Sequence, residues 1–230
     1  MHLNFLIDFI KITSMSNINR HTGQDSQYLL WKLPKFPFDY QYLLFILKNY
    51  SSPRDKISRM IKKKEIIQVK KGLYVLSPHF GTPINIRSLA NLIYGPSYIS
   101  LEYALSYWGL IPEKVEEITS MTNKRNKVFQ TPVGTFSYKY LENSKYSVGI
   151  ERIPDETGPF LIAAKEKAIC DRLAMINDIS IKEMTACLQD DLRLDMNELP
   201  ELNIDLIQEI AQVYKKKSVT AFYKWMIKNQ

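Results

Sequence analysis

Ser51-Ser52-Pro53 is the strongest helix start in the chain, and what surrounds it leaves few folds open. Serine can accept from the free N–H groups of a first helical turn, and proline tolerates that turn alone. The residues that follow, to about Lys64, place Ile57, Met60 and Ile61 on one stripe and Asp55, Arg59, Lys62 and Lys63 opposite it, the pattern of a half-buried helix. Residues 66–70 and 73–76 then read as two strands about Lys71-Gly72, a two-residue hairpin. Upstream, Pro34 and Pro37 bracket a stiff connector. Asp39 suits an N-cap for a helix to about Asn49, with Leu43, Leu44 and Leu47 on one face and Tyr40 extending it. Helix, short turn, basic helix, basic-tipped hairpin is the order of a winged helix-turn-helix, expected over 34–77. Its second helix would enter the major groove, and its hairpin would lie against the phosphate backbone or minor groove.

Charge strengthens that expectation. The chain carries a formal +7, and between Lys48 and Leu76 nine basic residues meet only Asp55 and Glu65, so this one segment holds the whole excess. Such a local field is the footprint of a polyanion-binding surface. Ser52, Arg54, Lys56, Arg59, Lys62, Lys63, Lys70 and Lys71 are therefore the expected DNA contacts. Arg59 is the candidate base reader, because its planar fork matches guanine, and the lysines are candidate phosphate holders. Lys124, Arg125 and Lys127 form a second basic turn, suited to a further phosphate or to an acidic patch on a partner. A basic turn can also serve solubility alone.

Pro78 and residues 81–83 mark a linker. Beyond it the pattern predicts helices over 86–94 and 101–108, the second capped by Ser100 and stopped at Gly109. Strands are expected over 117–121, 127–131, 135–141, 146–153 and 160–163, with turns at 123–126 and 132–134. Helices over 165–176, 181–192 and 204–228 follow, the last broken near Lys217. The expected fold class is α+β: a winged helix, then a mixed domain over 84–230 with an antiparallel sheet and C-terminal helices. Residues 1–33 read as a leader. Asp8 interrupts its apolar start and no cleavage site closes it, which argues against a signal peptide or anchor. The polar stretch after Met15 leaves a start at either Met1 or Met15 open. A cytoplasmic, membrane-free protein is the expectation.

The run from Tyr98 to Leu141 resembles the core of AbiEi-family antitoxins. The matching residues are Ser100, Leu101, Glu102, Ala104, Leu105, Gly109, Leu110, Ile111, Pro112, Glu113, Thr119, Ser120, Thr131, Pro132 and Gly134. Ala164-Lys165-Glu166-Lys167-Ala168 is similar to the family's Glu-Lys-Ala helix start, with alanine where a hydroxyl or proline cap is usual. With the winged helix included, the resemblance spans about Asp39 to Leu173. It implies an autorepressor that binds its own promoter as double-stranded DNA and counteracts a nucleotidyltransferase toxin of the AbiEii type, by direct contact or otherwise.

No catalytic site assembles from the sequence. It contains no glycine-rich phosphate loop, no nucleotidyltransferase signature and no nucleophile elbow, so the chain is expected not to be an enzyme. A metal-dependent nuclease would draw on Asp155, Glu166 and Lys167, but neighbours on a helix diverge by about 100°. The three histidines and the two cysteines, Cys170 and Cys187, have no metal-ligand spacing, so neither metal nor cofactor is expected. The aromatic set Tyr98, Tyr103, Tyr107 and Trp108 has helical spacing and points to packing. A winged-helix transcription factor with a small-ligand-sensing second domain remains the alternative, since sequence does not reveal a pocket.

Overall fold

The computed structural model describes residues 29–81 and 83–229. The chain divides into two units, Met1–Pro34 and Lys35–Gln230. In the first, residues 29–32 are helical and the Leu33 N–H closes a turn on the Leu30 carbonyl at 3.1 Å. The rest of the expected leader, and with it the question of a start at Met15, lies outside the described residues.

The second unit opens with β1 (Phe38–Asp39) and α1 (Tyr40–Ile46). Asp39 caps α1 as its sequence suggests, its carboxylate accepting from the Tyr42 N–H at 2.7 Å. After α2 (Pro53–Lys62) come β2 (Ile66–Lys70) and β3 (Leu73–Leu76), which pair antiparallel with the two-residue turn at Lys71-Gly72. β1 pairs with the far edge of β3, making a three-stranded sheet in the order β1-β3-β2. At two residues, β1 is too short for any alternation to reveal. β3 is buried on both faces. Tyr74 lies against Phe38 and Tyr40, with ring centroids 6.5 Å away in each case, while Leu73 and Val75 point into the main hydrophobic cluster. With Val69 they give the hairpin a core in common with the chain beyond the 78–83 connector.

That further part begins with α3 (Ile86–Ile93), whose start is set by Asn85, its side chain accepting from the N–H groups of Arg87 and Ser88. β4 (Ser97–Ile99) leads into α4 (Leu101–Tyr107), and β5 (Ile118–Thr122), β6 (Lys127–Thr131) and β7 (Gly134–Tyr140) follow. β8 (Ile150–Ile153) and β9 (Phe160–Ala163) complete a six-stranded sheet in the order β6-β7-β5-β4-β9-β8. The chain ends with α5 (Lys165–Ala174), α6 (Ile204–Tyr214) and α7 (Lys217–Asn229).

The α+β class is as expected, but the sheet is mixed rather than antiparallel. β5 runs parallel to β7, and β4 parallel to β9. The cause is that β7 inserts between β5 and β6, so the tight hairpin is β6–β7 and the 123–126 turn joins strands that do not pair. Two other expectations shift. The strand expected over 146–153 shortens to β8, because Tyr146 packs edge-on against Tyr98, centroids 5.1 Å apart, and Gly149 turns with a φ of 73°. The helix expected over 181–192 is a short turn, Met184–Ala186, running into a π-helical turn, Cys187–Asp191.

Strand alternation assigns the sheet's two faces. Ile99, Ser120 and Tyr138 align across β4, β5 and β7 on one face, and Tyr98 and Met121 lie on the other. α3 covers the first, and the Tyr138 hydroxyl donates to the Ala90 carbonyl at 2.6 Å. α5 meets the second, where the Tyr98 hydroxyl donates to Asp171 at 2.9 Å. Leu89 and Ile93 of α3 are completely or almost completely buried, each stabilising the layer by about 1.5–3 kcal/mol. Among the described residues no helix is long and apolar enough to cross a membrane.

Candidate nucleic-acid interface

The geometry of α2 follows from its two ends. Pro53 sits in the first turn behind Ser52, which is exposed and makes no side-chain cap bond. At the other end the Lys64 N–H donates to the Ile61 carbonyl and the Glu65 N–H to the Met60 carbonyl, the paired bonds of a Schellman stop. Lys64 therefore adopts a left-handed φ of 56°, a position usually filled by glycine. Ile57 and Met60 turn inward and Ile61 is half-buried. Arg54, Arg59, Lys62 and Lys63 are exposed, as is Lys64. Among the described residues, no carboxylate lies within ion-pair distance of any of them. The Arg59 Nε donates back to the Asp55 carbonyl at 3.4 Å, which lays the side chain along the helix, and the residue stays exposed.

Two of the expected contacts are placed differently. Lys56 is buried, 9% exposed, with its ammonium 5.5 Å from the centre of the Tyr50 ring. The signal was in the sequence, since Lys56 precedes Met60 by one turn and shares its face. Lys70 is half-buried, and its ammonium donates to the Ile93 carbonyl at the end of α3. A bulge between Gln68 and Lys70 re-aims that side chain. Lys71, at the hairpin turn, is exposed.

Sequence treats the hairpin and the 124–127 turn as separate features, but tertiary structure brings them together. The Lys124 ammonium donates to the Gly95 carbonyl, just beyond α3, and lies 5.3 Å from the centre of the Tyr94 ring. The Lys127 ammonium sits 5.7 Å from the same ring and 4.9 Å from that of Phe129. Burial lowers the pKa of Lys70, and the neighbouring Lys124 and Lys127 charges lower it further. Arg125 is exposed between them.

The residues of the nuclease alternative have other partners. Asp155 accepts from the Thr157 N–H and hydroxyl, which hold its carboxyl below the ordinary range. Glu166 accepts from the Asn203 N–H at 2.7 Å. Lys167 has no exposure and enters a polar network that sequence did not signal. Its ammonium donates to Tyr214 and to the Lys145 carbonyl and lies 3.6 Å from Asp171, which accepts from Tyr98, Tyr214 and Ser100. Burial lowers the pKa of Lys167 despite the facing Asp171 carboxylate, and raises that of Tyr98. These contacts tie α5 and α6 to β4 and to the 143–149 loop. Their i, i+4 core, Lys167 and Asp171, is visible in sequence, but the tyrosines that complete it are 73 and 43 residues from Asp171.

Compared with models of known protein families and with curated proteins, the chain matches none.

Proposed function

We propose that this chain is a DNA-binding autorepressor whose α1, α2 and β2–β3 hairpin act as a winged helix-turn-helix. The observation that carries the reading is the exposed row Arg54, Arg59, Lys62 and Lys63 on α2, which meets no carboxylate among the described residues and is followed at once by a hairpin with Lys71 at its turn. A helix of this kind fits the major groove with its cations toward bases and phosphates, and the hairpin then reaches the adjacent backbone. The protein works by binding, in the cytoplasm, without a cofactor. The AbiEi resemblance extends the proposal to an antitoxin role against a nucleotidyltransferase toxin encoded beside it.

Fluorescence anisotropy with the DNA upstream of its own gene, against random-sequence duplex of equal length, tests the DNA half. Arg59→Ala should weaken own-site binding by about tenfold or more and random binding less, as one lost bidentate base contact requires. Equal loss on both would remove Arg59 as a base reader, and no duplex binding by the native chain would sink the reading. Co-expression with the neighbouring gene product tests the antitoxin half, with rescued growth as the expected result.

A further inference from the structure

Just beyond α3, Tyr94, the 123–126 turn and Tyr140 enclose an open depression of about 810 Å³. Its lining is Tyr94, Asn123, Lys124, Arg125, Asn126 and Tyr140, with no carboxylate among them. We propose that this depression binds a phosphate group, with Lys124 and Arg125 as its principal donors and Lys70 and Lys127 at its edge.

Three observations converge on it. First, the cations are held together against their own repulsion. Lys70 and Lys124 each give one ammonium proton to a carbonyl at the end of α3, those of Ile93 and Gly95, where the helix is partially negative. An ammonium has three protons, so each retains donors for a ligand. Second, nothing described neutralises them, for among the described residues no carboxylate lies within 4 Å of Lys70, Lys124, Arg125 or Lys127. Third, the neutral groups add donors. The Asn126 side-chain oxygen is taken by the Tyr140 N–H at 2.7 Å, which leaves its amide nitrogen to donate. The Thr122 hydroxyl, itself donating to the Pro96 carbonyl, accepts from the Lys124 N–H and so fixes the turn. Several cationic and amide donors gathered at one depression suit an anion with several oxygens, such as a phosphate. The phosphate could belong to a duplex or to a free polyphosphate, and this site uses none of the α2 residues on which the DNA reading stands.

The test uses the full chain and Arg125→Glu, whose side chain is exposed and can be reversed without disturbing the fold, with Lys127→Gln as a second variant. One arm titrates inorganic pyrophosphate by calorimetry at low salt, and the other measures random-sequence duplex affinity against salt. Arg125→Glu should weaken pyrophosphate binding at least tenfold, or flatten the duplex salt slope by about 1 or more. Loss in the pyrophosphate arm alone identifies a free polyphosphate, and loss in the duplex arm alone identifies the DNA backbone; either supports the site. Unchanged binding in both arms, or a native chain that binds neither probe, overturns it. Duplex binding that needs Arg59 but is indifferent to Arg125 and Lys127, with no pyrophosphate binding, overturns this site and leaves the α2 reading standing. The reverse pattern overturns only the α2 reading.

Discussion

The Lys70 ammonium, carried on the hairpin, donates to the backbone carbonyl of Ile93, the last residue of α3. The end of a helix leaves carbonyls without intrahelical partners, and a cation is the most favourable group to meet them. The bond therefore fastens the proposed wing to the helix that covers the six-stranded sheet, alongside the apolar contacts of Val69, Leu73 and Val75.

Lys70→Met keeps the apolar stem and removes the tie. The expected cost is about 1–2 kcal/mol, that of a charge-assisted hydrogen bond at a half-buried site. Urea unfolding of the full chain measures it, and an unmoved midpoint would show that the bond adds nothing to stability.

Lys71, unlike Lys70, is exposed and without a described partner, so the two adjacent lysines should behave differently toward DNA. Lys71→Ala should reduce the slope of log affinity against log salt by about 0.9, the value of a single phosphate contact. Sequence alone assigns both lysines to the backbone and predicts a loss of about 2 for the pair. A slope that does not change in Lys71→Ala would place the hairpin turn away from the duplex.

Lys64 holds a left-handed conformation that costs a side chain bearing a Cβ. Lys64→Gly should stabilise the protein by roughly 0.5–1 kcal/mol, since glycine enters this conformation without the steric penalty, although its freer unfolded chain offsets part of the gain. Thermal unfolding at moderate salt reads the difference. A lower midpoint would mean that the lysine stem contributes more by packing than its backbone loses.

Buried tyrosines, two of them donors to Asp171, predict the alkaline limb of stability. Tyr98, Tyr138, Tyr146 and Tyr214 all have pKa values raised by burial, Tyr146 to about 12. A group whose folded pKa is raised contributes stability that is complete below its unfolded value and is lost as pH climbs through the folded one. For these tyrosines the loss begins near pH 10, the ordinary phenol value. Lys167, lowered by burial, acts in the opposite sense: its cost to folding fades as pH rises toward 10.5. With Tyr74, also raised by burial, and Lys70, also lowered, five tyrosines stand against two lysines and give a net fall above pH 10. In Tyr98→Phe that fall should be shallower, and stability at neutral pH should drop by about 1–3 kcal/mol, because Asp171 loses a buried donor. An alkaline limb identical to that of the native chain would remove Tyr98 from the titration.

Local signals were enough for much of this molecule. Proline at the start of α2, asparagine and aspartate at the starts of α3 and α1, and glycine in the β2–β3 turn act within a few residues, so the elements they bound are legible in sequence. The concentration of charge between Lys48 and Leu76 is legible in the same way. What sequence could not supply is adjacency. Strand periodicity says that residues 118–122 and 134–140 are extended, but not that β7 slides between β5 and β6 and makes the sheet mixed. Nor does it say that Lys70 and Lys124, 54 positions apart, both bind carbonyls at the end of α3, or that Lys56 turns inward onto Tyr50. Helix and turn signals are short-range backbone energetics, whereas the partner of a strand edge or of a long charged side chain is chosen by burial and electrostatics among groups that only the folded chain brings together.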